Sequence, residues 1–271
     1  MEKIYNVKII VATHKKYEMP KDEIYFPLQV GAECNKSIDL GICKDNTGDN
    51  ISYKNACFGT QTALYWAWKN LKADYIGLVH YRRHFLEKKV KDGKIIDSVI
   101  TGKTLYSMLD EYKVFVPKKR HYYIENVYNH YSNTMNGGAE QLQILREIIL
   151  ENNPEYLNSF DFFMKKRSAY IFNMMILEKS LFNDYCSWLF PILFELEKRV
   201  DTSNYSDFDK RYMGRISERM FNVWLNKKIS DGVIKREDIK ELPYNEDVNW
   251  KRKINGFLRA KFMKEKYKKS F

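Results

Sequence analysis

Two polar segments that follow strand-like runs have the residue types needed to bind a phosphate-bearing ligand. Residues 13–15 (THK) close the β-rich run at 7–13, and residues 80–83 (HYRR) follow the apolar run at 75–79. Ligands of open α/β sheets bind beyond the carboxyl ends of the strands, so both segments are expected to border one crevice. Arginine offers a planar fork matched to phosphate oxygens, and histidine donates a hydrogen bond in either protonation state. Each segment taken alone is interpreted equally well as a solvated loop.

The spacing within HYRR decides which of its side chains can act together. If the segment continues the strand, His80 and Arg82 share one face while Tyr81 and Arg83 take the other. We therefore rank His80 and Arg82 above Arg83 for contact with a ligand. The alternative is that the arginines pair with acidic residues elsewhere in the domain.

Two further polar segments are open to more than one interpretation. Residues 118–120 (KKR) follow another predicted strand and either add positive potential to the crevice or form a solvated cluster. Residues 44–50 (KDNTGDN) have the composition of a surface turn. A calcium loop is rejected for this turn because the glutamate that such a loop requires further along the chain is missing.

Alternating strands and helices predict an α/β fold, in which a mainly parallel central sheet is flanked by helices and followed by a helical C-terminal region. Strands are predicted at 7–13, 28–30, 38–42, 75–79, 114–116 and 169–177. Helices are predicted at 56–72, 104–112, 139–151, 179–199 and 211–228, with Pro191 as a possible kink in the fourth.

The composition is that of a globular protein in a reducing compartment. Apolar residues make up 44% of the 271 residues and charged residues 30%, and no 18-residue apolar run or signal-peptide pattern occurs. The four cysteines form no C-x-x-C pair, which indicates reduced thiols. These features predict a cytoplasmic protein without a membrane-spanning helix.

The positive charge is concentrated near the C-terminus. Residues 251–269 hold nine Lys or Arg and one acid, Glu265, so they carry +8 of the net +11 and leave +3 (11 − 8) for the rest. This predicts a single domain at 1–245 and a basic amphipathic tail at 246–271. A helix with Trp250, Ile254, Phe257 and Leu258 on one side suits an anionic membrane surface, whereas a solvated basic terminus is the alternative.

The order of segments resembles that of GT-A glycosyltransferases. In that fold, a first strand is followed by a second strand with an acidic turn that holds the nucleoside, then by a helix and a strand that ends in D-x-D. The KDNTGD segment at 44–49 stands in the place of the acidic turn, and NACFGTQTALYWAWKNLKADYIGLVHYRR at 55–83 in that of the helix and strand. The chain departs from the fold at the end of that strand, where residues 80–82 replace the acidic pair.

More closely, the chain is similar to a family of bacterial capsular and exopolysaccharide glycosyltransferases long catalogued as a domain of unknown function. The shared motifs are VKIIVATHK at 7–15, YFPLQVGA at 25–32, DNTGDNIS at 45–52, ALYWAWKN at 63–70, GLVHYRRHF at 77–85, NMMIL at 173–177, YCSWLFPILFELEKR at 185–199 and GRISERMFNVWL at 214–225. Some members of the family are assigned as galactosyltransferases that use UDP-galactose. The resemblance therefore implies a UDP-sugar donor, a hexosyltransferase activity, and a lipid-linked saccharide as the acceptor.

The resemblance and the residue types together give a set of candidate site residues. The donor would be bound by Thr13, His14, Asp45, His80, Arg82 and Arg83, with Asp45 on the uridine or ribose and the first two residues lining the base. Asn173 and Arg219 are the acceptor-binding candidates. Glu218 is the first candidate for the general base and Asp161 the second, although a carboxylate near the start of a helix also stabilises the helix dipole. No metal ligand is predicted and no cofactor is required, with a divalent Mn or Mg ion as the alternative.

Two other classes of protein compete with this interpretation. A noncatalytic scaffold of a polysaccharide-synthesis complex would explain the missing D-x-D, and turnover of a nucleotide sugar would exclude it. A nucleic-acid-binding protein would explain the basic and aromatic composition. However, residues outside the tail carry only +3, and no known nucleic-acid motif is present, so no nucleic-acid partner is predicted.

Overall fold

The computed structural model has the predicted α/β architecture, with a mostly parallel seven-stranded sheet flanked by helices. It describes residues 5–88, 94–245, 256–257, 259, 261 and 266–267. The strands of the large sheet are β1 (Val7–Thr13), β2 (Tyr25–Gln29), β3 (Cys43–Lys44), β4 (Tyr75–His80), β5 (Val114–Pro117), β8 (Met175–Glu178) and β9 (Ile239–Leu242). Strands β6 (Arg120–His121) and β7 (Ser168–Ala169) form a separate antiparallel pair.

The large sheet has the order β3-β2-β1-β4-β8-β5-β9. Only β8 runs antiparallel to its neighbours among the described strands of this sheet. The carboxyl ends of β1, β2, β4 and β5 therefore share one edge with the amino end of β8. We call this edge the site edge.

Helices cover the two faces of the sheet unequally. They are α1 (Asn55–Phe58), α2 (Gln61–Asn70), α3 (Gly102–Tyr106), α4 (Val127–Thr134), α5 (Gly138–Asn152), α6 (Leu157–Met164), α7 (Lys179–Arg199) and α8 (Tyr212–Ser230). Alternate residues of β1 enter different cores: Ile10 faces the larger core, which includes α2, α5, α7 and α8, and Ile9 faces the smaller one with α3. Both isoleucines are fully buried, as expected for a central strand covered on both faces.

Several predicted elements differ from the observed ones for local backbone reasons. The predicted helix at 56–72 is divided into α1 and α2 by Gly59, which has a φ of 56°. The predicted strand at 169–177 is interrupted because Phe172 and Asn173 have φ values of 70° and 54°. The strand predicted at 38–42 lies instead at Cys43–Lys44, and the helix predicted at 104–112 lies at Gly102–Tyr106. Helix α7 continues through Pro191 to Arg199.

The described residues of the tail lie against α4. The backbone N–H of Tyr267 donates to the carbonyl of Thr134 at 2.9 Å, and the ring of Phe257 lies 5.9 Å from that of His130. Trp250, Ile254 and Leu258 of the predicted amphipathic helix lie outside the described residues. In the portion of the chain described, no helix has the length and apolar character needed to cross a membrane.

Candidate functional site

Strand β4 ends at His80 in a tight turn. The N–H of Arg83 donates to the carbonyl of His80 at 2.7 Å, and the N–H of His80 donates to the carbonyl of Arg83 at 3.2 Å. Residues 81–83 therefore do not continue the strand, and the alternating arrangement considered for an extended HYRR segment is wrong. The turn places Arg82 at its exposed tip and leaves Arg83 half-buried.

His80 is a neutral hydrogen-bond donor at the site edge. Burial, followed by the positive charges of Arg83 and Arg82, lowers the pKa of His80 to about 3. The backbone N–H of Arg82 lies 3.4 Å from Nδ1, which therefore accepts a hydrogen bond. A neutral imidazole with an accepting Nδ1 carries its proton on Nε2, so Nε2–H is the group available to a ligand.

The buried ring of Tyr81 organises the cationic residues around this turn. It lies 4.2 Å from the His80 ring and 5.3 Å from the His14 ring, measured between centroids. Lys15 Nζ and Arg82 Cζ lie 5.4 Å and 5.5 Å from its centroid. The structure thus brings the segment after β1 together with the segment after β4, as the sequence predicts. Sequence reasoning did not select Tyr81, because a tyrosine between charged residues gives no sign that it is buried.

Thr13 and His14 have different environments at the end of β1. Thr13 is fully buried, and its hydroxyl donates to the carbonyl of Lys15 at 2.7 Å. His14 is exposed at the edge. Partial burial, and then the positive charge of Arg211 and of other cations, lowers the pKa of His14. Arg211 immediately precedes α8, and its effect on His14 indicates that the start of this helix lies near the site edge.

The segment before β8 completes the edge with an arginine–aromatic stack. Arg83 Cζ lies 4.1 Å from the centroid of the Phe172 ring, and Arg120 Cζ lies 5.2 Å from it. Phe172 and its neighbour Asn173 both have left-handed backbones, with φ of 70° and 54°. Such conformations are costly for bulky residues and are concentrated at functional sites. The stack therefore joins the ends of β4 and β5 across a strained connection.

Asn173 connects this segment to α8. Its Nδ2 donates to the carbonyl of Gly214 at 2.8 Å, which fixes the amide plane. Its side-chain oxygen is buried and has no hydrogen-bond partner among the described residues. An acceptor atom in this state has the chemistry needed to receive a hydroxyl of a ligand.

Asp45 lies beneath the loop that follows β2. Its side chain is fully buried, and its carboxylate accepts from the N–H groups of Gly31 and Ala32 at 2.9 and 3.1 Å and from the hydroxyls of Ser52 and Thr62 at 2.5 and 2.7 Å. The sequence predicts that this carboxylate binds the nucleoside, but in the structure it accepts hydrogen bonds from these four protein donors. Asp45 therefore acts through the loop, by fixing the backbone at residues 31–32.

The remaining candidates lie on two different helices. Glu218 is half-buried on α8. Arg219 follows it, stacks at 4.2 Å on the Tyr131 ring and donates to the carbonyl of Arg215 at 2.7 Å. Asp161 lies on α6. Its two carboxylate oxygens accept hydrogen bonds from Nε and Nη2 of Arg146 at 2.8 and 2.7 Å. That ion pair joins α6 to α5 and not to the strand ends.

The donor atoms at the end of β4 do not fit a divalent metal ion. The turn offers one imidazole and two guanidinium groups, and guanidinium is a cation without lone pairs for a metal. Among the described residues, no group of three or more His, Cys, Asp or Glu side chains could hold a metal.

The fold and the site edge define an α/β protein with a cluster of cationic and aromatic side chains at the carboxyl ends of its strands. Residues 8–229 match the family model described as "Domain of unknown function (DUF4422)", and the chain belongs to this family. It is also similar to a solved structure described as the apo form of WbbM, a bifunctional glycosyltransferase, with 32% identity and a TM-score of 0.80. That similarity covers 88% of this chain and 45% of the other, so this chain spans less than half of the WbbM length. No curated protein matches the chain.

Proposed function

We propose that the protein is a glycosyltransferase that transfers a hexose, with galactose favoured, from a UDP-sugar to a lipid-linked saccharide. The observation that carries the proposal is the convergence of His80, Arg82, Arg83 and Lys15 at the carboxyl edge of the sheet. The similarity to WbbM supports glycosyl transfer as the reaction class. The pathway proposed is the synthesis of a capsule, exopolysaccharide or O-antigen.

The cationic turn matches the charge that develops on the leaving group. As the bond between the anomeric carbon and the diphosphate breaks, the electron pair stays on the diphosphate oxygen. Arg82 and Arg83 stabilise that oxygen and its neighbours by charge, and the Nε2–H of His80 donates a hydrogen bond. In this way the turn would perform the role that an acidic metal clamp performs in D-x-D enzymes.

The acceptor would approach from the side of α8 and Asn173. A hydroxyl oxygen of the acceptor forms the new bond to the anomeric carbon, and a general base takes the hydroxyl proton. Glu218 is the proposed base, and it stands on the helix whose Gly214 carbonyl holds Asn173. A second acceptor hydroxyl would be received by the buried, unpartnered side-chain oxygen of Asn173, and Arg219, the next residue of α8 after Glu218, is the other proposed acceptor contact.

The lipid-linked acceptor implies a position at the inner face of the plasma membrane. We propose that residues 249–271 contribute to this peripheral attachment through their nine basic side chains. Attraction to anionic lipid predicts that high salt weakens the attachment.

The experiment that tests the function is donor turnover by the purified chain. Nucleotide release is measured as UDP from UDP-galactose and UDP-glucose and as GDP from GDP-mannose, and the melting temperature is measured with each donor. We expect UDP-sugars to raise the melting temperature, because a ligand that binds only the folded state stabilises it. UDP release should be fastest with UDP-galactose. A melting temperature unchanged by every donor at millimolar concentration would contradict the donor site, whereas binding without turnover would favour the noncatalytic scaffold.

A further inference from the structure

The most exposed of the large apolar side chains described lies on a turn beside the site edge. The Tyr123 side chain is 78% exposed, and that of Ile124 is 56% exposed. They occupy the turn at residues 122–125, which connects β6 to α4 and which we call the Tyr123 turn. Two adjacent apolar side chains at this exposure lose contact with water only if a partner covers them.

The backbone holds these two side chains outward. Tyr123 has a φ of 56°, an unfavourable value for a bulky residue. The N–H of Ile124 donates to the carbonyl of Tyr122 at 2.8 Å, and the N–H of Tyr122 donates to the carbonyl of Arg167 at 2.8 Å. The turn is therefore fixed at its base while its tip projects, and strain of this kind is typical of functional segments.

Basic residues from two parts of the chain surround the turn. Arg167 Nη1 donates to the carbonyl of Tyr123 at 3.4 Å, and Lys261 Nζ donates to the carbonyl of Ile124 at 3.4 Å. Lys166 lies beside them, because its carbonyl accepts the N–H of Val127 at 2.8 Å. Lys166 and Arg167 are exposed. The Lys166 ammonium lies 3.8 Å from the centroid of the exposed Phe162 ring. The surface thus combines projecting apolar side chains with neighbouring basic residues.

We propose that the Tyr123 turn inserts into the interface of an anionic lipid bilayer, with Arg167, Lys166 and Lys261 contacting the lipid headgroups. Tyrosine prefers the membrane–water interface, and basic residues near it are attracted to anionic lipids. The inference deepens the peripheral membrane attachment proposed above and rests on it. It assigns the attachment to the folded domain as well as to the tail.

The position of the turn connects the membrane to the site. Arg120 belongs to β6, which leads into the turn, and its guanidinium lies 5.2 Å from the Phe172 ring. The guanidinium of Arg83 lies 4.1 Å from the centroid of the same ring. A saccharide carried on a lipid in the bilayer would therefore be presented beside the cationic turn of the donor site.

The test is flotation of the full chain with vesicles of phosphatidylcholine alone and with vesicles that also contain phosphatidylglycerol. The variant Tyr123→Asn/Ile124→Ser removes the apolar tip, and asparagine tolerates the left-handed backbone of Tyr123. The matched control, Tyr53→Asn/Ile38→Ser, removes the same two residue types, which are 60% and 41% exposed. These controls lie near β2 and β3, at the opposite end of the sheet from β5.

We expect the wild type and the control to float with the anionic vesicles and poorly with the neutral ones. The Tyr123→Asn/Ile124→Ser variant should partition about tenfold less, since it has lost most of its insertable apolar surface. An unchanged melting temperature shows that the variant is folded. Flotation equal to that of the wild type would overturn the proposal and leave attachment to the tail.

Failure of the wild type to float with the anionic vesicles would also overturn the membrane-insertion proposal. Release of UDP from the soluble donor, measured in parallel without vesicles, separates this failure from a failure of the glycosyltransferase proposal. Lys166→Gln/Arg167→Gln is a second variant that keeps the apolar tip. It should lose part of its binding to anionic vesicles, and unchanged binding would contradict the assigned headgroup contacts.

Discussion

Aromatic rings hold the guanidinium groups of the site edge in place. Arg83 lies 4.1 Å from the Phe172 ring centroid, and Arg82 lies 5.5 Å from that of Tyr81. The face of a ring attracts a cation, so each of these contacts helps to hold its guanidinium in place. A preorganised cation of this kind needs no rearrangement when negative charge develops on a leaving group.

Removal of His80 or Arg82 should impair turnover while leaving the fold intact. We expect His80→Ala and Arg82→Ala each to lower the rate of donor turnover about a hundredfold, the usual effect of losing one preorganised donor. Arg82→Lys should recover only part of the rate because it keeps the charge and loses the planar fork. Arg146→Ala, which removes an exposed arginine from α5, serves as the control. Near-wild-type turnover by folded Arg82→Ala would exclude the proposed role.

The two candidates for the general base predict opposite effects of substitution on the transfer rate. If Glu218 takes the acceptor proton, Glu218→Gln should lower transfer about a hundredfold or more, in the range of general base catalysis. Asp161→Asn should lower it little, because the Asp161 carboxylate is bound by Arg146 in an exposed ion pair. Transfer rates of the two variants at saturating donor decide between them, and the reverse order would make Asp161 the base.

Two buried histidines should make the fold sensitive to mild acid. Burial is the main cause that lowers the pKa of His80 to about 3 and of His84 to about 4. The unfolded chain, with histidine pKa values of about 6.5, binds more protons between these limits, so stability is complete above about pH 6.5 and falls as the pH falls. At pH 5 each histidine should reduce the free energy of unfolding by about 2 kcal/mol relative to pH 7.

Urea denaturation at pH 7 and pH 5 measures this loss. His84→Asn should make the pH-dependent loss about 2 kcal/mol smaller, whatever its effect on stability at pH 7. His121→Asn, at an exposed position, is the control and should leave the loss unchanged. An equal loss in wild type and His84→Asn would show that His84 is not the titrating group.

At the scale of the elements, the loop after β2 depends on one buried carboxylate. Asp45 receives hydrogen bonds from residues 31–32 and from the hydroxyls of Ser52 and Thr62, so it joins β2, the loop and α2. Gly31 adopts a φ of 68°, and a side chain there would meet Asn55 Oδ1 at 2.6 Å. The loop therefore has one well-defined conformation at the site edge.

Replacement of Asp45 should disturb both stability and donor binding. Asp45→Ala leaves several buried donors without a partner, and the free energy of unfolding should fall by about 3 kcal/mol or more. If the variant remains folded, its KM for the donor should rise more than its kcat falls, because the residue acts by positioning the loop. Asp49→Asn is the matched control in the same turn, and its exposed carboxylate should contribute less than about 1 kcal/mol. Thermal unfolding and steady-state kinetics measure both effects.

The sequence predicts regular elements well and the shape of the site less well. The apolar runs at 7–13 and 75–79 and the helical stripes of α7 and α8 depend on local periodicity, and all four form as predicted. The tight turn after His80 and the left-handed Phe172 and Asn173 depend on contacts with distant segments, which periodicity does not encode. For the same reason, the hydrogen-bond network of Asp45 follows only from the folded chain.

At the scale of the whole molecule, the described part of the basic tail packs on the domain. The tail meets the domain at α4: Lys266 Nζ donates to the carbonyl of Ser132, and the N–H of Tyr267 donates to that of Thr134 at 2.9 Å. The Tyr267 side chain packs against the larger core. The described tail residues therefore belong to the folded domain as well as to the basic surface.

Deletion of residues 246–271 should consequently have two separable effects. Loss of the Tyr267 and Phe257 contacts should lower the free energy of unfolding by about 1–3 kcal/mol, an effect of the size expected for partly buried aromatic side chains. Because about 1 kcal/mol shifts the melting temperature of a protein of this size by roughly 2–4 °C, a calorimetric scan detects the change.

Tyr267→Ser/Phe257→Ser in the full chain should reproduce that shift while keeping the nine basic residues and much of the attraction to anionic vesicles. Hydrolysis of the soluble donor should be largely unchanged in both proteins, since the strand ends that hold the donor candidates lie outside the deleted segment. A deletion that leaves the melting temperature unchanged would show that these contacts contribute nothing to stability, and would make the tail a lipid-binding appendage only.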